Sequence, residues 1–96
     1  MAAYVVTMLQ LLDEAAAAVY RPLARASVAA HGGRYLARGP DESRTGPDRL
    51  VIIEFPSLQV ALQWRDSDCY RDATAWRDKA MRSRVMIVDG IPWEGS

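Results

Sequence analysis

Apolar and polar residues follow two rhythms along this chain, and the switches between them predict its elements. Tyr4 to Leu9 is rich in β-formers and reads as a first strand. Asp13 then opens a helical region to about His31, with Asp13 as N-cap and Glu14 favoured by the positive end of the helix. Ala16, Val19, Tyr20, Leu23, Ser27 and Ala30 recur at helical spacing as its apolar face. Pro22 removes a backbone donor within that region, which predicts a kink near Ala18 or a restart at Arg21. Gly32 suits the position just past the helix, and Gly33 lets the chain turn.

Period two returns at Arg34 to Arg38, the second strand. Gly39 to Asp48, with its glycines, prolines and charges, is a surface loop to a third strand, Arg49 to Phe55. Pro56 stops the ladder and Ser57 is placed to cap a helix reaching about Asp66. Ser67 and Asp68 cap a further helical stretch to about Met81. Arg84 to Asp89 is the fourth strand, closed by Gly90, and Ile91-Pro92-Trp93 begins a short tail with an exposed aromatic. The order is βαββαβ, which predicts an α+β, ferredoxin-like protomer: a four-stranded antiparallel sheet with its helices on one face, as one domain over residues 1–96.

An antiparallel sheet with one wet face should alternate cleanly between apolar and polar. These strands do not. Leu50 and Ile52 oppose Val51, Ile53 and Phe55; Met86 and Val88 oppose Val85 and Ile87; Tyr4, Val6 and Met8 oppose Val5, Thr7 and Leu9. The chain has no element left to cover the second face, so the expected cover is a second copy, sheet to sheet, in a symmetric homodimer.

Composition narrows the function classes. The 96 residues carry 12 basic and 12 acidic side chains, a formal net charge of zero, so neither nucleic acid nor an anionic membrane is an expected partner. The longest apolar runs are far short of a membrane span, and Met1 to Tyr4 has no signal-like basic segment. One cysteine, Cys69, excludes an intrachain disulfide and fits a cytoplasmic location. No metal site is expected, since the lone His31 has no second histidine or cysteine pair beside it, and no cofactor motif is present.

The candidate chemistry centres on Glu54, a carboxylate among apolar neighbours that requires a partner. Tyr70, Ala73, Arg77 and Ala80 form one helical stripe, and Arg77 on it requires an anion. Glu54 and Arg77 are therefore expected to meet under the helix. The pair is either structural or the lining of a small cavity in which Arg77 holds an acidic ligand and Glu54 acts as base. His31 is a third catalytic candidate, its alternative a helix-capping role. Trp64 and Tyr70 are candidates for an aromatic pocket wall. Arg34 and Arg38, sharing one face of the second strand with Leu36 between them, are candidates for a ligand anion or for the acids of a neighbouring strand or subunit.

Taken in order, His31 to Gly39, Arg49 to Ser57, then Trp64, Ser67, Tyr70 and Arg77, then Ser83 to Gly90, resemble the family known as domain of unknown function 1330. The resemblance implies membership of the dimeric α+β barrel superfamily, a ferredoxin-like protomer and a homodimer of facing sheets. Relatives in that superfamily include cofactor-free monooxygenases, haem degraders and isomerases. The first two typically use an asparagine; this chain contains none, and its Gly39 to Asp48 loop departs from the family's usual pattern. Two readings remain. One is an enzyme or binding protein for a small aromatic or carboxylic-acid compound, in a cavity between sheet and helices. The other is a non-catalytic dimeric module whose Glu54–Arg77 pair only fixes packing.

Overall fold

The structure, a computed structural model, describes residues 1–43 and 48–91. The tip of the Gly39 to Asp48 loop and the Trp93 tail lie outside the described residues. The elements follow the expected order: β1 (Ala3–Leu11), α1 (Glu14–Ala30), β2 (Arg34–Pro40), β3 (Arg49–Phe55), α2 (Leu58–Arg65), α3 (Asp68–Ala80) and β4 (Met81–Asp89). The strands form one antiparallel sheet in the order β2-β3-β1-β4, a ferredoxin-like α+β fold.

Local chemistry sets the helix limits. Asp13 Oδ1 accepts from the Ala15 and Ala16 amides at 2.9 and 3.2 Å, and Ser57 Oγ accepts from the Val60 amide at 3.1 Å. Ser67 caps α3 by accepting from the Tyr70 amide, while its hydroxyl donates to the Trp64 carbonyl at 2.7 Å and so ties the end of α2 to the start of α3. Gly32, at φ +70°, terminates α1 in the left-handed region that glycine adopts without steric cost. Gly33 is required for closeness rather than for φ: a Cβ there would fall 2.7 Å from Phe55 and 2.8 Å from Val28.

β1 and β2 extend beyond their expected ends, and two junctions differ from the sequence reading. Helix α1 runs unbroken through Pro22. Pro22 and Ala18 are both exposed, so water can satisfy the carbonyl that the proline leaves unbonded, while buried Ala16, Ala17, Ala24, Ser27 and Val28 hold both halves on the sheet. The buried face is accordingly rotated from the expected one. Val19 and Leu23 are exposed, and small residues lie against the strands. Strand β4 begins at Met81 with no linker after α3, because the Ala80 carbonyl accepts from the Leu12 and Asp13 amides and Met81 pairs with Leu11.

The helices cover one face. Ala3, Val5, Ile53 and Phe55 from that face pack with Val28, Ala61, Trp64, Tyr70 and Ala73 from the helices. The other face carries aligned rows: Arg34–Glu54–Tyr4–Val88, then Ala37–Ile52–Val6–Met86, then Leu50–Met8–Arg84. Among the described residues no element covers them, and Val88 is 53% exposed.

Candidate functional site

A cavity of about 90 Å³ lies between the helix-covered face of the sheet and α1 and α3. Its sheet side is Thr7, Leu9, Val51 and Ile53; Ala24 and Val28 of α1 and Trp64 of α2 form apolar walls. Tyr20 of α1, Tyr35 of β2 and Tyr70 of α3 bring phenol groups into it from three directions. Arg21, Arg38 and Arg49 also line it, Arg38 and Arg49 from the β2–β3 strand ends, while Arg21 of α1 is ion-paired with Glu14 at 2.7 Å. The combination of apolar walls, a few polar groups and cationic side chains is the usual make-up of a small-molecule pocket.

The aromatic wall is locked from behind. Trp64 stacks on Tyr70 at a centroid distance of 4.0 Å and on Phe55 at 5.1 Å. Its indole Nε1 donates to Ser27 Oγ at 3.0 Å, and that buried hydroxyl donates to the Ala24 carbonyl at 2.7 Å. Both polar atoms are thereby satisfied in a dry environment. Burial pushes the Tyr20 phenol well above the ordinary tyrosine range, and the adjacent Tyr70 adds to the effect. Tyr35 is raised too, by burial, against the opposing pull of Arg38 and Arg25. The Arg38 guanidinium lies 4.6 Å above the Tyr35 ring. Both phenols are neutral hydrogen-bonding groups at physiological pH.

The structure separates Glu54 from Arg77, correcting the expected pair. Glu54 shares its face with Leu50 and Ile52, away from the helices, and accepts from Arg34 Nε at 2.8 Å across the β2–β3 ladder. Arg77 lies on the helix side, where Nη1 donates to the Tyr70 hydroxyl at 2.9 Å. Its Nε is 3.5 Å from Asp78 Oδ1 but not directed at it, and is buried without a hydrogen-bond partner. Neither Glu54 nor Arg77 lines the cavity. The parity of β3 forces this result: with Ile53 and Phe55 facing the helices, Glu54 cannot.

The expected shared face of Arg34 and Arg38 is also corrected. A bulge between Tyr35 and Ala37 inserts a residue in β2, so Arg34 faces out beside Glu54 while Arg38 pairs opposite Val51 and lines the cavity. Leu36, at the bulge, is 47% exposed. His31 caps α1 through a 2.8 Å hydrogen bond between Nδ1 and the Ser27 carbonyl, and is not in the cavity lining. Of the residues singled out from sequence, Trp64, Tyr70 and Arg38 come together at the cavity; Glu54, Arg77, His31 and Arg34 do not line it. Tyr20, Arg21, Tyr35 and Arg49 were missed. The signal was present for Tyr35, which shares parity with Ile53, and for Tyr20, which stood on the expected apolar stripe of α1.

Among the described residues no group of three or more His, Cys, Asp or Glu converges as a metal site, and no helix is long and apolar enough to cross a membrane. Residues 2–91 match the family described as "Domain of unknown function (DUF1330)". The chain belongs to the DUF1330 family. No curated protein matches it. Among solved structures, the RPA0582 protein of unknown function from Rhodopseudomonas palustris is similar at TM-score 0.75 and 18% identity, over 95% of this chain and 83% of that one. SnoaB, a cofactor-independent oxygenase from Streptomyces nogalater, is similar at TM-score 0.68 and 9% identity, over 99% and 98%. A dimeric protein of unknown function and ferredoxin-like fold from Bacteroides fragilis NCTC 9343 is similar at TM-score 0.64 and 9% identity, over 93% and 96%. At these identities the likeness is one of fold.

Proposed function

We propose that this DUF1330 protein binds a small aromatic or carboxylic-acid compound in the cavity between its sheet and helices, and works as a cytoplasmic homodimer. The observation that carries the binding reading is the cavity itself: three tyrosines together with Arg38 and Arg49 on a largely apolar lining. Apolar walls take a ring by burial, phenols supply directed hydrogen bonds, and arginines favour a negative group. The reading stops at binding and assigns no reaction. SnoaB is an oxygenase, but the asparagine expected of such chemistry is absent from this chain.

The Glu54–Arg77 pair invoked by the competing reading of a non-catalytic dimeric module does not form, because the two residues lie on opposite sides of the sheet. The homodimer reading rests on the uncovered rows around Val6, Ile52 and Met86 and is supported by the dimeric ferredoxin-like neighbour. The exposed lone thiol, Cys69, accords with a reducing compartment.

A thermal-shift screen of aromatic and carboxylic acids tests the binding. A ligand at a hundred times its Kd stabilises the native state by about 2.7 kcal/mol, a rise of roughly 10 °C or more for a chain of this size. The shift should disappear in Ala24→Leu, which fills the cavity from its α1 wall. No stabilising compound, or a shift unchanged in Ala24→Leu, would sink the proposal. Light scattering at dilute concentration should give about twice the 10.7 kDa chain mass; a stable monomer would defeat the dimer reading.

A further inference from the structure

Arg77 Nη1 donates to the Tyr70 hydroxyl oxygen at 2.9 Å, and arginine has no acceptor to offer in return. A phenol hydrogen prefers the ring plane and has two positions there. The Arg77 donor occupies the oxygen on one side, so the Tyr70 hydrogen is left for the other, and Tyr70 and Tyr20 both line the cavity. Burial, with a smaller contribution from Tyr70, holds the proton on the Tyr20 hydroxyl as well. The cavity is thereby biased toward donors. A ring bound there without an acceptor leaves them unpaired, which costs more than the bond itself returns.

Resting on the binding reading above, we propose that Arg77 is a positioning residue that leaves the Tyr70 hydroxyl as a donor beside the Tyr20 hydroxyl, so that the cavity selects aryl carbonyl compounds, an aromatic ring bearing an exocyclic C=O. The ring lies among Val28, Trp64 and Ile53, and the carbonyl oxygen accepts from the tyrosine pair. Arg77 never touches the ligand. Its effect travels through one phenol oxygen, which explains why a cationic side chain is held at the back of an apolar cavity without lining it.

The test compares acetophenone with ethylbenzene, which share a skeleton and differ at the acceptor, by NMR titration of the full chain. The wild type should bind acetophenone about 2- to 10-fold more tightly than ethylbenzene. Arg77→Met and Tyr70→Phe should bring that ratio to about one while leaving ethylbenzene affinity in place. A merely structural role for Arg77 would weaken both probes alike. If Arg77→Met does not fold, Tyr70→Phe and Tyr20→Phe, which each delete a single oxygen, decide the matter. A wild-type ratio of one, or a ratio that survives the tyrosine variants, overturns this inference and leaves the cavity reading standing. Failure of both probes to bind the wild type overturns both.

Discussion

On the helix-covered face of the sheet, Val5, Ile53 and Phe55 are closed over by Trp64, Tyr70 and Val28. On the opposite face their chain neighbours Val6, Ile52 and Glu54 stand in rows that no element among the described residues covers. The residue types are similar and the surroundings are not. The covered face closes around polar atoms that are mostly paired, Trp64 with Ser27, Ser27 with Ala24 and Arg77 Nη1 with Tyr70, while Arg77 Nε is left without a partner. The bare face carries the Arg34–Glu54 ion pair at its margin, with Arg34 largely exposed and Glu54 only 22% exposed. Alternation in a strand therefore shows that both faces are apolar, but not which of them encloses a cavity and which awaits a partner.

The largest expected effect lies on the covered face. Trp64→Ala removes the stack on Phe55 and Tyr70 and opens the cavity further, and should cost about 3–5 kcal/mol in urea unfolding. A loss under 1 kcal/mol would show that this face is not the stabilising one. On the bare face, Ile52→Glu places a charge in the middle row; in a sheet-to-sheet dimer an unpaired buried charge costs on the order of 3–5 kcal/mol. The mass by light scattering should then fall to that of one chain, with the fold retained by circular dichroism. Retention of the dimer would move the interface elsewhere.

A smaller effect separates the faces by pH. The Tyr20 phenol has its pKa raised in the fold, so the native state holds its proton where the unfolded chain releases it. The associated stability is complete below the ordinary tyrosine value near 10 and falls above it, by up to about 1.4 kcal/mol per pH unit. Tyr20→Phe should flatten that alkaline limb in denaturant titrations from pH 9 to 11. The smallest effect belongs to Glu54→Gln. An ion pair with an exposed arginine is worth about 0.2–1 kcal/mol, and the loss should shrink further in high salt. A loss of several kcal/mol would mean that Glu54 is far more deeply buried in the assembly than in the chain.

How much of this was legible in the sequence depends on the range of the interaction. The caps at Asp13, Ser57 and Ser67 were readable because each acts within three residues. The stripe Tyr70, Ala73, Arg77 and Ala80 was readable because one helix turn repeats every 3.6 residues. Reading failed where an extra residue or a rotation intervened. The bulge beyond Tyr35 reversed the parity of β2 and divided Arg34 from Arg38. The rotation of α1 turned Val19 and Leu23 outward from the stripe they shared with Tyr20, because several stripes fit the helical period and only contact with the sheet chooses between them. The Glu54–Arg77 pairing failed for a reason already visible in the strand: Glu54 alternates with Ile53 and Phe55, and those two belong to the core.

The sequence by itself determined the element order, the helix limits and the two-sided apolar character of the strands, since these depend on neighbours along the chain. Tertiary structure alone decided which face the helices took, and with it the fate of every charged or phenolic side chain. Glu54 went to the bare face with Arg34, Arg77 to the back of the Tyr70 hydroxyl, and Tyr20, Tyr35 and Tyr70 to one cavity. The physical reason is that periodicity fixes relative orientation within an element, while which side is buried is settled by packing between elements that lie far apart in the chain.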